Sequence, residues 1–428
     1  MLKRVDFFKT DLEYSAPARG GWTIVHVGML VPEAHEIFVC AAGCLRGVVL
    51  SAAEMNMSDR FSTIAVEEHN IIDGDMEELI IEGVTDIMNR LPARPKAVLV
   101  YTSCIHHFVG CDLEMCYDRL RERFRDTDFT DCYMIPTMRK SGMTPDMIMR
   151  SRLYSLLKPA EQSEKHCAVV GNCFTMGGGC DLIQLLNGAG ITVHQITECR
   201  TYEEYQNMAC CSFCICTQPV AREGATELER RLGMKSMYLP LSYGYDEIED
   251  SLVRLSEYVG TFFDTGELRK TADEKMNAAL KMIGDTPIAV DYTATPRPFG
   301  LARLLTEKGF NVVTVYADSV GGEDRTDAEW LRANKPETEV CPTVHPSMRK
   351  RQQYDGSSGA ERTRVLAIGQ KAAYFTGSPY FVNIVEAEGL YGFKGIAGMA
   401  DLMMEAFVRE KDVKKLISIK GRGCENCI

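Results

Sequence analysis

Three stretches of the chain repeat one pattern: a short run of β-branched and other apolar residues, a segment with apolar residues at helical spacing, then a second short apolar run. Such alternation builds parallel sheets covered by helices, because two strands running the same way need a crossover, and a helix supplies it. In the first stretch the runs are Glu36-Ile37-Phe38-Val39 and Ala97-Val98-Leu99-Val100-Tyr101. Between them Leu79, Ile80, Val84 and Ile87 mark one face of a helix over Met76 to Asn89. In the second, Cys167-Ala168-Val169-Val170 leads through the glycine-rich Gly171 to Gly179 into a helix beginning Asp181-Leu182-Ile183. Further runs follow at Ile191 to Val193 and Cys210 to Cys216. The third has strands at Pro287 to Val290 and Asn311 to Val315 around a helix at Gly300 to Lys308, with continuations at Val365 to Ile368 and Tyr380 to Ile384. The fold expected is α/β, three Rossmann-like domains of parallel sheet flanked by helices. At roughly 150 residues per domain, 428 residues accommodate about three. Polar linkers near Pro159 to Lys165 and Thr271 to Asp285 set the expected domains at 1–162, 163–283 and 284–428.

Charge and composition remove several classes of function. A formal net charge of -12, with only Arg349, Lys350 and Arg351 as a basic run, opposes attraction to nucleic acid or to an anionic membrane. Met1 to Thr10 lacks the apolar core of a signal peptide, and no apolar stretch reaches the ~18 residues of a membrane span. A cytoplasmic location is expected. There, disulfides do not persist, and 17 cysteines, an odd number, fit a disulfide framework badly. Thiols retained in a reducing compartment point to metal ligation, above all to iron-sulfur clusters, and weakly to an anaerobic host.

The strongest site is in the first stretch. Cys40 and Cys44 follow one strand directly, and Cys104 follows the next. In an open α/β sheet the carboxyl ends of the strands meet at one edge, where ligands bind, so cysteines distant in sequence can converge there. Ala41, Ala42 and Gly43 leave room for a cluster to approach the backbone. Isolated cysteines commonly pack as small hydrophobes, but three at strand ends favour ligation. His106 and His107, beside Cys104, are candidates for proton transfer or substrate orientation.

Four further features are weaker. Cys214 and Cys216 share one face of an extended run and can offer two thiolates, or simply fill space in a buried strand. Gly177 and Gly178 lie in a loop that can bring the backbone close to an anion at a helix start, although the loop matches no nucleotide-binding motif. Arg297, after Thr295-Pro296, is a candidate anion or substrate contact. The tail pair Cys424 and Cys427 has a metal or redox spacing that is weak alone. No Gly-x4-Gly-Lys-Ser/Thr motif occurs, so ATP hydrolysis must come from another protein.

These residues carry a family resemblance. Val39-Cys40-Ala41-Ala42-Gly43-Cys44-Leu45-Arg46-Gly47 resembles the Gly-Cys turn of nitrogenase component 1 proteins, which supplies a ligand to a cluster shared between subunits. Glu67-Glu68-His69-Asn70-Ile71-Ile72-Asp73-Gly74-Asp75 is similar to the family's acidic, glycine-containing helix entry. Tyr101-Thr102-Ser103-Cys104, running on to Gly110-Cys111-Asp112, resembles its Thr-Cys motif, with Cys111 where the family usually has Asp. The resemblance implies that Cys44 and Cys104 are cluster ligands with Cys40 a substitute third. The absence of cysteine from residues 1 to 39 favours a subunit-bridging 4Fe-4S cluster over the larger double cluster. The resemblance also implies two partners, a nitrogenase iron protein-like ATPase and a homologous component 1-like subunit, or a second copy of the chain.

Gly389-Leu390-Tyr391-Gly392-Phe393 resembles the segment in which nitrogenases set a histidine against their cofactor, and Tyr391 replaces that histidine. Dinitrogen is therefore not the expected substrate. Related subunits of dark-operative protochlorophyllide reductase and nickel-tetrapyrrole reductase make a second metallocluster or a tetrapyrrole-like ligand the corresponding expectation. The expected function is a reductase subunit, with Tyr391, His106 and His107 as candidate catalytic residues. The rivals are a metallocluster assembly scaffold without turnover and a cysteine-rich small-molecule-binding module.

Overall fold

A computed structural model describes residues 12–18, 23–135, 143–351 and 364–418. The first sheet is parallel, in the order β2-β1-β3-β4. Its strands are β1 (Ala34–Ala41), β2 (Phe61–Val66), β3 (Ala97–Ser103) and β4 (Asp128–Met134). Nearly every residue of β1 and β3 is buried, as befits central strands covered on both faces. The helix Met76–Arg90 buries Ile80, Ile81, Val84 and Met88 against Ile37, Val39, Val98 and Val100. Its helical period matches the sequence expectation, but the buried stripe is turned: Ile81 and Met88 join Ile80 and Val84, and Leu79 and Ile87 are only partly buried.

The second sheet has the same winding, β6-β5-β7-β8. It is built from β5 (Ser163–Val169), β6 (Thr192–Gln195), β7 (Cys211–Cys216) and β8 (Lys235–Tyr238). Cys210 belongs to a short 3-10 turn, Asn207–Cys210, and not to the strand that follows. The third sheet is ordered β11-β10-β9-β12-β13, from β9 (Ile288–Asp291), β10 (Val312–Tyr316), β11 (Glu339–Cys341), β12 (Leu366–Ile368) and β13 (Phe381–Val382). All strand pairs in the three sheets are parallel.

The chain divides into two compact units. One holds the first two sheets, over Trp22–Cys173 and Ile191–Leu239. The other holds the third sheet, within Pro240–Ile428, together with Phe174–Gly190. Among the described residues no helix is long and apolar enough to cross a membrane.

Candidate metal centre

In a sheet wound β2-β1-β3-β4, the connections leave β1 and β3 in opposite directions, and their carboxyl ends flank the crevice where such sheets bind ligands. The cysteines of the first stretch stand at that seam. Cys40 lies near the end of β1, and Cys44 lies in the first turn of the helix Ala42–Glu54 that follows at once. Cys104 opens the helix Cys104–Val109, directly after β3. Val39 pairs with Thr102, which brings Cys40 level with Ser103 and one residue short of Cys104.

The three thiols share one electrostatic neighbourhood. Cys40 is fully buried, and its thiol is pushed up to about 12, chiefly by burial and then by Cys44 and Cys104. Cys104 is half-buried and Cys44 exposed, so the set runs from the strand end out to solvent. A side chain added at Gly43 would meet nothing within 4 Å. Crowded thiols oppose one another's ionisation, whereas a bound soft cation reverses that preference and takes them as thiolates. Two buried polar atoms within two residues of Cys104 in the chain, Thr102 Oγ1 and His106 Nε2, have no hydrogen-bond partner. Such orphans are uncommon in folded proteins and invite a ligand. The donor set, the room at Gly43 and the orphaned atoms fit an iron-sulfur group.

The two histidines divide their roles. His106 is buried and closes the start of its helix, its Nδ1 accepting from the Ser103 backbone N–H at 3.1 Å. Burial holds its pKa below the usual imidazole value. His107 is exposed, its ring centroid 5.5 Å from that of Tyr133.

Exposed apolar side chains also stand on the helices that follow these strands. Val49 and Leu50 follow β1, Ile71 and Ile72 follow β2, and Phe108 and Val109 follow β3, each pair on the first helix after its strand. All six are exposed, Ile72 at 80% and Phe108 at 76%. Scattered apolar side chains are normal on a surface, but six on the helices that follow three adjacent strands fit an interaction face. The sequence reading missed this rim. It also passed over Glu36, a carboxyl inside an apolar strand, which is fully buried and accepts from the Tyr101 hydroxyl at 3.1 Å. The lone acid within Glu36-Ile37-Phe38-Val39 was the available signal.

The other candidates are placed as follows. Cys214 and Cys216 are buried in β7, and burial first, then Cys216, raises the Cys214 thiol. Side chains added at Gly177 or Gly178 would meet nothing within 4 Å, whereas one at Gly179 would strike Leu390. Tyr391 is buried, its hydroxyl hydrogen-bonded with Ser251 and its backbone N–H donating to Gly179 O at 2.9 Å. The next residue, Gly392, has φ +73, and any side chain there would collide with the Asp181 carboxylate. Asp181 accepts from the N–H groups of Phe393 (2.5 Å) and Lys394 (3.3 Å) at the start of the helix Gly392–Val408. Arg297 is buried, with Nη1 on Glu247 at 2.8 Å and Nη2 on Asp327 at 2.7 Å. Its guanidinium is thus engaged by carboxylates of its own unit. Cys424 and Cys427 lie outside the described residues.

The family model for nitrogenase component 1 type oxidoreductases matches residues 24–407. The structure of nitrogenase Cp1 at pH 6.5 is similar with a TM-score of 0.66 and 14% identity, over 95% of this chain and 96% of that one. Nitrogenase Cp1 at pH 5 is similar with a TM-score of 0.54 and 12% identity, over 90% and 87% of the two chains. At these identities the structural likeness is one of fold. A search of curated proteins finds no significant match.

Proposed function

The chain belongs to the nitrogenase component 1 type oxidoreductases, and from that premise we propose that it is a nitrogenase-like reductase subunit whose Cys40, Cys44 and Cys104 supply thiolates to a subunit-bridging 4Fe-4S cluster. The single observation that carries this reading is the placing of Cys40, Cys44 and Cys104 at the carboxyl ends of β1 and β3, where the Cys40 thiol feels the other two, Cys44 is exposed and Cys104 half-buried. A cluster bound there supplies one-electron relay at a potential set by its environment.

The remaining roles belong to the chain. β1 and β3 fix the spacing of Cys40 and Cys104, while Ala41, Ala42 and Gly43 keep the approach free of bulk. Thr102 Oγ1 and His106 Nε2 are donors of the kind that tune a cluster's potential through hydrogen bonds to sulfur. The rim of Val49, Leu50, Ile71, Ile72, Phe108 and Val109 suits a second component 1-like subunit, because a shared cluster must be shielded from water by the partner's surface. Electrons come from an ATP-dependent iron protein, since this sequence carries no phosphate-binding Lys-Ser/Thr motif of its own. Tyr391, buried and bonded to Ser251, is not a histidine-like metal ligand, which supports a substrate other than dinitrogen.

The test is anaerobic purification followed by metal analysis and turnover. The expected product is a brown protein with about four iron and four sulfide per bridged pair of chains. Both Cys44→Ala and Cys104→Ala should lose that iron while retaining the far-ultraviolet circular dichroism of the parent. A colourless protein without acid-labile sulfide overturns the cluster. Substrate consumption that requires reductant, MgATP and iron protein separates the reductase from a scaffold that only holds a maturing cluster.

A further inference from the structure

A convergence of ligating atoms lies in the second sheet. His166 on β5 and His194 on the neighbouring β6 point to the same face, because Ala168 pairs with His194 and side chains alternate along a strand. His166 Nδ1 lies 2.8 Å from His194 Nε2. Cys210 Sγ lies 3.4 Å from the same Nδ1, and the three ligand atoms all fall within 4.8 Å of one another. The backbone is irregular here. Between Ser163 and Cys167 the β5 register against β7 slips, four residues of β5 spanning two of β7. A bulge of that kind re-aims side chains, and it turns His166 toward the 3-10 turn that ends in Cys210.

We propose that His166, His194 and Cys210 form a three-ligand zinc site, unrelated in position to the cysteines of the first sheet. Two imidazole nitrogens and one thiolate are the donor types that zinc prefers, and no carboxylate is needed. Ligand atoms around one tetrahedral zinc stand about 3.3–3.6 Å apart, as follows from bond lengths of ~2.0 Å to nitrogen and ~2.3 Å to sulfur. The distances here, 2.8 Å, 3.4 Å and a third within 4.8 Å, lie near that spacing, so a small rotation of the rings suffices. Two imidazoles facing nitrogen to nitrogen must share a proton between them, and a cation can replace that proton. All three residues are half-buried, which leaves a fourth position for water. The bound metal ties β5, β6 and the lead-in to β7 together.

The experiment uses the full chain, purified anaerobically, dialysed against chelator and titrated with zinc chloride, with zinc and iron measured on the same samples. The parent is expected to hold one zinc equivalent that His194→Ala and Cys210→Ser both lose, with iron content unchanged in either. Zinc K-edge absorption of the parent should fit three nitrogen or oxygen neighbours, two imidazole and one water, and one sulfur neighbour at the bond lengths above. His194→Gln, which keeps a polar side chain of similar size, guards against a failure to fold and should lose the same equivalent. Equal zinc in the parent and these variants overturns the site, as does an all-sulfur shell, which would place the zinc on other cysteines. Because iron is counted separately, loss of the cluster and loss of the zinc are distinguishable.

Discussion

Arg297 offers a direct contest between a ligand contact and a structural ion network. Its side chain is 6% exposed, and it reaches Asp327 (2.7 Å), Glu247 (2.8 Å) and, more distantly, Asp324 (3.8 Å). Asp324 and Asp327 are only 3% and 10% exposed, whereas Glu247 is 56% exposed. Replacing Arg297 with Met keeps the length and removes the charge, leaving two buried carboxylates. Breaking a buried pair typically costs about 3–5 kcal/mol. The lower end applies, because Asp327 keeps Arg303 at 3.2 Å and Asp324 keeps the N–H groups of Phe299 and Gly300. The exposed Glu247 contact adds little. A loss of about 3 kcal/mol corresponds to a melting temperature lower by about 6–12 °C, taking ~2–4 °C per kcal/mol for a unit of roughly 200 residues.

Asp324 adds a pH signature to the same variant. Burial raises its carboxyl to about 6, while the two N–H groups and Arg297 hold it down. Without the arginine that pKa climbs further. A carboxyl whose folded pKa is raised contributes stability at low pH that is lost as pH rises toward the folded pKa. The gap between parent and Met variant should therefore be narrow at pH 5 and wide at pH 8. Thermal unfolding by circular dichroism at the two pH values measures both effects. A Met variant that melts within 1 °C of the parent at pH 8, yet has lost an anionic ligand, would refute the network and make Arg297 a binding residue.

Two further outcomes follow from buried and exposed groups of the first sheet. Glu36 is fully buried with its carboxyl held well above the usual range by burial, and its Oε2 has no partner. Folding therefore favours the protonated form, and stability should fall by up to ~1.4 kcal/mol per pH unit as pH rises above ~4.3. Glu36→Gln should remove that slope and be the more stable protein at pH 8, and parallel stability curves for the two would show that the carboxyl is not kept neutral. Phe108→Asp, at an exposed position, should change unfolding free energy by no more than about 0.5 kcal/mol. The same variant should weaken association with the partner subunit in sedimentation velocity, and unchanged association would remove the apolar rim from the interface.

What could be read from the sequence follows strand position. β1, β3, β5, β7, β9, β10 and β12 lie inside their sheets, and each carries a buried, largely apolar stretch, in β5 only its last three residues Cys167, Ala168 and Val169. The four strands that sequence patterning missed, β2, β4, β8 and β11, all lie at sheet edges. Edge strands need no such run: β4 reads Asp128-Phe129-Thr130-Asp131-Cys132 and is only partly buried, and β11 has three residues. Two other edge strands, β6 and β13, were marked, but displaced or lengthened by one or two residues.

The same logic separates the sites. Cys40, Cys44 and Cys104 were legible because each stands at or just past the end of a central strand, and a parallel sheet brings such ends to one edge whatever the intervening length. Arg297 was conspicuous, but its partners lie 27 to 50 residues away in sequence, so the carboxylates around it could not be seen. His166, His194 and Cys210 form no motif, being 28 and 16 residues apart. Their meeting depends on which strands pair, in which register, and on a two-residue slip in β5. A ligand set assembled at strand ends is written in the order of the elements, whereas one assembled across a sheet face is written in its register. Only the first is accessible to a reader of the chain.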